Sequence, residues 1–269
     1  MRTTRYGEDI RPPAVAGSFY PADPGRLRGL VAELLAAAPA YAGEPPEAVI
    51  APHAGYVYSG PVAAAAFASL REKAASVVRV VLIGPSHYVA VHGVAISPAQ
   101  AFETPLGRVG VDRDALAAIA DLPWVTTNDR AHAPEHALEV ELPFLQVVLG
   151  AFALVPLLVG DAAPAEVAQV LARLWDEPDT LLVVSSDLSH YLDYEAAQRR
   201  DAATADAIER SDWAAVGPND ACGALAIAGL LVQAAPRGLK GRRLALCNSG
   251  DTAGARVRVV GYGAWALAA

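Results

Sequence analysis

The chain has 269 residues, is 54% hydrophobic and 19% charged, and carries a formal net charge of −8. That length and composition build a full apolar core and argue against a disordered or fibrous chain. The acidic balance, with no cluster of Lys and Arg, argues against a nucleic-acid partner, which needs a basic face to replace phosphate counterions.

The N-terminal stretch MRTTRYGEDIRPPAVAGSFYP lacks the apolar segment of a secretory signal, so a cytoplasmic location is expected. Residues up to Pro12 read as a loose leader. Asp23 caps a helix opened by Pro24 and running to about Ala38, with Leu27, Leu30, Val31, Leu34 and Leu35 on its core face. A first strand, Ala48 to Ala51, stops at Pro52 and His53. Ser59 is placed as N-cap of the helix that follows, with Pro61 in its first turn. A second strand, Val77 to Gly84, stops at Pro85, Ser86 and His87. The alternating stretch Gly93 to Val111 reads as a hairpin arm turning at ETPLG. Asp112 caps a short helix to about Ala120.

Glu135 to Leu149 reads as a stronger helix, which Pro143 bends or starts late. Phe144 to Gly160 is the longest apolar stretch, but Gln146, Gly150 and Pro156 interrupt it. It falls short of the roughly 20 residues that span a bilayer and reads as a helix end followed by a buried strand. A strand over Ala151 to Gly160, a helix over Pro164 to Trp175 and a strand over Thr180 to Ser185 come next. Two helices, Tyr194 to Arg210 and Asp220 to Gln233, lead to final strands at Arg243 to Cys247 and Arg256 to Trp265. Alternating strands and helices with no convincing linker predict one α/β domain over residues 1–269. Its sheet should be mostly parallel or mixed and covered by helices.

Chemistry concentrates where apolar runs break. His53, His87 and His190 each follow a strand-like run, and ligands of α/β proteins bind beyond the carboxyl ends of strands. Neighbouring strand ends lie about 5 Å apart, so such groups can converge. Cys247 has the same placement; its alternatives are a thiolate ligand and a small buried hydrophobe. Cys222 reads as structural. In a cytosolic chain the two cysteines are expected free or metal-bound rather than paired. Asp187 is a candidate to orient His190 for proton transfer, or else caps the following turn. His132 and His136 read as helix-entry residues, with His136 and Glu139 candidates for support behind the site. His92 has no supporting context. No Walker loop, dinucleotide fingerprint or G-x-S-x-G is present.

The motifs GSFYP (Gly17 to Pro21), PHAGYVYSG (Pro52 to Gly60), GPSHY (Gly84 to Tyr88), TPLG (Thr104 to Gly107), EHALEVELPFL (Glu135 to Leu145), SSDLSHY (Ser185 to Tyr191) and CNSGD (Cys247 to Asp251) resemble the Memo family, in family order. The resemblance implies a fold similar to class III extradiol dioxygenases, which are non-haem iron enzymes. It also implies a metal pocket of His53, His87 and Cys247, with Asp187 and His190 beside it as catalytic candidates. AMMECR-domain and radical-SAM proteins are implied as pathway partners, as in the AmmeMemoRadiSam system. A thiolate at the third position favours Cu(I), or Fe(II) with altered redox behaviour. The expected functions are a protein holding reduced copper or Fe(II), or an active oxygenase on a small, aromatic-type substrate. A third alternative makes Cys247 a nucleophile activated by His190.

Overall fold

The computed structural model describes residues 10–175 and 179–269. Residues 1–9 of the expected leader lie outside the described residues, but the chain is already anchored at β1 (Ile10–Arg11), where Arg11 is buried. Helix α1 (Pro24–Ala37) starts as expected, with the Asp23 carboxylate accepting from the Arg26 amide. After β2 (Ala48–Ala51), helix α2 (Tyr56–Ala68) begins at Gly55 rather than Ser59. The Ser59 hydroxyl instead donates to the Ala54 carbonyl at 2.9 Å, and Pro61 sits inside the helix.

Next come β3 (Arg79–Pro85), β4 (Val94–Ile96) and the hairpin of β5 (Ala101–Thr104) and β6 (Gly107–Gly110). Helix α3 (Arg113–Ala117) is capped by Asp112 through the Ala115 amide. Then follow β7 (Val125–Thr127) and α4 (Asp129–His132). The expected helix from Glu135 is instead an irregular segment with one 3₁₀ turn at Glu139–Glu141, and α5 (Leu142–Leu149) starts late, with Pro143 in its first turn. Strand β8 (Ala153–Val159), helix α6 (Pro164–Leu174), strand β9 (Thr180–Ser185), the short β10 (His190–Leu192) and helix α7 (Tyr194–Glu209) continue the chain.

Helix α8 (Ala224–Ala234) starts four residues later than expected. Gly223 explains the delay: an added Cβ would lie 2.7 Å from Ser186 Cβ and 2.9 Å from the Ser185 carbonyl, so the chain presses on the end of β9 before it can coil. The chain closes with β11 (Lys240–Asn248) and β12 (Val259–Ala268).

Among the described residues, β1, β5 and β6 form a small sheet, and the others form a nine-stranded mixed sheet ordered β10-β12-β2-β9-β3-β8-β4-β7, with β11 also paired to β12. Its centre, β2-β9-β3-β8, is parallel, while β12 and β4 run antiparallel on its flanks. The central strands are buried almost throughout, as expected when helices cover both faces. Helices α1, α2 and α5 pack together, with α2 on β2 and β12, while α6 packs on α8 and α8 lies on β3 and β9. No described helix is long and apolar enough to cross a membrane.

Because β2, β3 and β9 are parallel and adjacent, their carboxyl ends share one edge. The register pairs Ala51 with Ser185 and Ile83 with Val184. The two residues after Ala51 lead to His53, the two after Pro85 lead to His87, and the two after Ser185 lead to Asp187. Three separate segments of sequence therefore meet at one crevice.

Candidate metal centre

His53, His87 and His136 come together at this edge, with one ligand nitrogen from each within 4.8 Å of the others. The rings of His87 and His136 stack at 4.7 Å between centroids, and His53 meets both edge-on at 5.2 and 5.4 Å. This group can hold a metal ion.

The hydrogen bonds around the rings decide which nitrogen each one offers. His87 Nδ1 lies 2.8 Å from the Glu135 carboxylate, an acceptor, so the proton sits on Nδ1. His136 Nδ1 lies 3.2 Å from the Tyr88 hydroxyl and 3.4 Å from Glu135 Oε1, which favours the same tautomer. His53 Nδ1 lies 2.7 Å from Ser185 Oγ, and that hydroxyl gives its only proton to the Ala137 carbonyl at 2.7 Å. Ser185 Oγ also lies 2.9 Å from the Glu141 carboxyl, whose pKa burial raises well above the usual carboxylate range. With its proton directed to an oxygen, Ser185 Oγ accepts from His53 Nδ1. Each imidazole thus holds Nδ1 against a neighbouring group and presents Nε2, which is how metal-binding histidines are usually held; on His53 that nitrogen also meets the Cys222 thiol, 3.4 Å away.

Electrostatics keep the rings ready. Burial, reinforced by His87, lowers the pKa of His53 to about 3, and burial with His53 lowers that of His136 to about 4. Both are neutral ligands at physiological pH, and no proton need be lost before binding. Imidazoles in this number suit iron, copper, zinc or nickel. The donor set therefore fits a transition metal.

Glu135 fixes the geometry of two of the three ligands. Its oxygens accept from the His87, His136 and Ala137 amides at 2.6, 3.0 and 3.0 Å as well as from His87 Nδ1. Burial alone would raise its pKa, but the hydrogen bonds and charge of His87 and the neighbouring amides outweigh burial and hold it at about 2. The stabilisation, about 3 kcal/mol, is fully present above the ordinary value near 4.5 and is lost as pH falls towards 2. The stability gap between wild type and Glu135→Gln in urea unfolding should accordingly be large at pH 6 and close between pH 4.5 and 2. A gap independent of pH would remove the ionised carboxylate from this account.

The other expected site residues sort differently. Asp187 is buried and accepts from the His53 amide at 2.8 Å, so it braces the loop that carries His53. His190 donates from Nδ1 to the Leu188 carbonyl at 2.8 Å; that carbonyl, rather than Asp187, sets its tautomer. Both nonetheless line the same open cavity of about 600 Å³ as the three histidines.

Cys247 falls outside the group of converging ligands. Tyr262 is its partner across β11 and β12, and β12 separates β11 from β2. Continuing the register puts Cys247 level with His53 but two strand spacings away, roughly 10 Å. Burial, with Asp251 and Asp201 adding, pushes its thiol up to about 11, the opposite of an activated nucleophile. The cysteine that does approach the histidines is Cys222, whose Sγ lies 3.4 Å from His53 Nε2. Burial raises its pKa to about 12, so it is a neutral thiol.

His136 and Glu135 are the residues of the candidate centre that sequence reasoning underrated. Their one signal is Pro134, which breaks the helical pattern of HAPEH just before them and leaves an irregular backbone. Glu139 supports the fold elsewhere, accepting from Arg11, from Tyr20 and from the Ala14 and Val15 amides. His132 is buried against the Ala95 carbonyl at 3.0 Å, and His92 is exposed.

Fold and site together describe an α/β protein with a candidate three-histidine metal centre at the carboxyl edge of its parallel strands. Comparison with known sequences makes this specific. The profile of the family described as "Memo-like protein" matches residues 11–266. A "MEMO1 family protein" of Aquifex aeolicus is 35% identical over 94% of this chain and 97% of its own length. One from Aeropyrum pernix is 37% identical over 94% and 98%, and one from Ignicoccus hospitalis 39% over 71% and 73%. The chain belongs to the Memo family.

Proposed function

We propose that the protein binds Fe(II) through Nε2 of His53, His87 and His136, with reduced copper as the alternative ion. The observation that carries this reading is the convergence of three imidazoles, with one ligand nitrogen of each within 4.8 Å of the others and Nδ1 of each held by a neighbouring side chain. The preference for iron follows from the surroundings. Glu135 braces the ligands, Asp187 supplies a carboxylate in the same cavity, Cys247 lies outside the ligand group, and the sulfur that does approach His53, that of Cys222, is a neutral thiol rather than the soft thiolate that would favour Cu(I).

A second reading, a non-haem oxygenase acting on a small molecule, is favoured by the cavity itself. Its volume of about 600 Å³ is in the range of small-molecule sites, and the histidines form part of its wall. A bound Fe(II) would supply sites for substrate and oxygen. The chain's own contribution would be proton movement: with Nδ1–H donated to the Leu188 carbonyl, His190 is left with Nε2 for proton exchange with a molecule in the cavity.

Anaerobic metal analysis of tag-free protein tests the first reading. Near-stoichiometric iron in wild type and none in His53→Ala is the expected result. Stoichiometric copper would select the alternative ion, and failure to load either metal under reducing conditions would refute the centre. Oxygen uptake above the metal-free background, driven by a catechol-like compound, is what the oxygenase reading requires.

A further inference from the structure

Among the residues lining the cavity, Arg258 is the only lysine or arginine, and Asp187 the only carboxylate. Asp187 is already engaged by the His53 amide. Arg258 is exposed, sits where the 252–258 loop enters β12, and makes no ion pair among the described residues. Its one recorded partner is the ring of Tyr191, 5.0 Å from the guanidinium carbon.

Arg256, two residues earlier, shows what a satisfied arginine looks like in the same loop. It stacks on Tyr194 at 4.4 Å, donates to the Gly250 carbonyl at 3.3 Å and approaches Asp251 at 4.0 Å. In a chain of net charge −8, an arginine that lines a cavity and makes no ion pair among the described residues keeps its planar donors available.

Tyr191 adds a second, independent observation. Its φ is +60°, in the left-handed region that a bulky aromatic residue rarely adopts, and its ring is 63% exposed while lining the cavity. Backbone strain of this kind clusters where a side chain must be held for a ligand. Tyr191 and Arg258 line the cavity together, with Arg258 stacked over the ring. Phe19, Tyr58 and Tyr88 line the same space, so the wall offers aromatic faces as well as one cation.

We infer that the cavity binds a small aromatic carboxylate, with Arg258 receiving the carboxylate, the Tyr191 ring holding Arg258 in place, and the aromatic part of the ligand directed towards the three histidines. This inference rests on reading the cavity as the ligand site beside a metal centre, and it names the ligand class. Arg258 is a specificity residue here; no bond is made or broken at it.

The test is calorimetric titration of the full chain with 4-hydroxybenzoate and with its neutral isostere 4-hydroxybenzamide, on metal-free and iron-loaded protein. Wild type is expected to bind the acid about tenfold more tightly than the amide, as a charge-assisted pair at a half-open site should. Arg258→Gln should reduce the acid to the affinity of the amide without changing iron content, and Arg256→Gln should leave the preference intact. Equal affinity for acid and amide in wild type, an unchanged preference in Arg258→Gln, or no binding of either probe overturns the proposal. If iron loading succeeds while discrimination fails, the ligand class is wrong and the metal reading stands. If discrimination survives in protein that takes no metal, the anion site stands and the metal reading falls.

Discussion

Replacing Arg11 with alanine should cost about 3–5 kcal/mol of folding stability, a large part of the 5–15 kcal/mol that holds a typical domain together. Arg11 and Glu139 are both buried and pair directly, and Arg11 also donates to the His132 carbonyl at 3.1 Å and to the Glu135 carbonyl. Removing the cation leaves Glu139 buried without its counter-charge and takes the guanidinium from the Glu135 carbonyl, while the His132 carbonyl keeps only the Glu135 amide at 3.3 Å. The pair also ties β1 to the irregular segment that carries Glu135 and His136, so site geometry should suffer together with stability. Urea unfolding measures the effect. The double variant Arg11→Met with Glu139→Leu removes both charges and should recover part of the loss. A loss below about 1 kcal/mol in Arg11→Ala would mean that water reaches the pair, and the burial argument would fail.

His136→Ala should weaken metal binding at least a hundredfold, because removal of a direct ligand exceeds the roughly 10–100-fold cost of losing a supporting group. His136 is half of the stacked pair with His87 and shares its Glu135 brace, so its loss leaves only two converging imidazoles. Its contribution to folding is expected to be small by comparison, since the ring faces the cavity rather than the core. Competition with a chelator of known affinity, read beside the unfolding midpoint, separates the two effects. Equal metal affinity in His136→Ala and wild type would exclude the three-histidine centre.

His53, His87 and Asp187 were legible in the sequence because each follows an apolar run that stops abruptly, and in a parallel sheet such stops share an edge. The fold was legible for the same reason: β9 has the bounds expected of it, and Asp23 and Asp112 cap the helices they should. Cys247 shares that local pattern and lies outside the converging group of His53, His87 and His136. Its distance is set by sheet order, with β12 between β11 and β2, and no local pattern in the sequence records which strand lies next to which. His136 was hidden for the converse reason. It arrives on a segment with no regular periodicity, held in place by the long-range pairing of Arg11 with Glu139 and by the amides that Glu135 gathers. Cys222 looked like a helix residue, and only the close approach forced at Gly223 brings its thiol to His53.

The most direct test of the centre is the metal content of tag-free protein prepared without oxygen, compared among wild type, His136→Ala and Cys247→Ala. The geometry predicts near-stoichiometric metal in wild type and in Cys247→Ala, and little or none in His136→Ala. The reverse pattern, with metal retained without His136 and lost without Cys247, would contradict the three-histidine centre and return the third ligand to the cysteine.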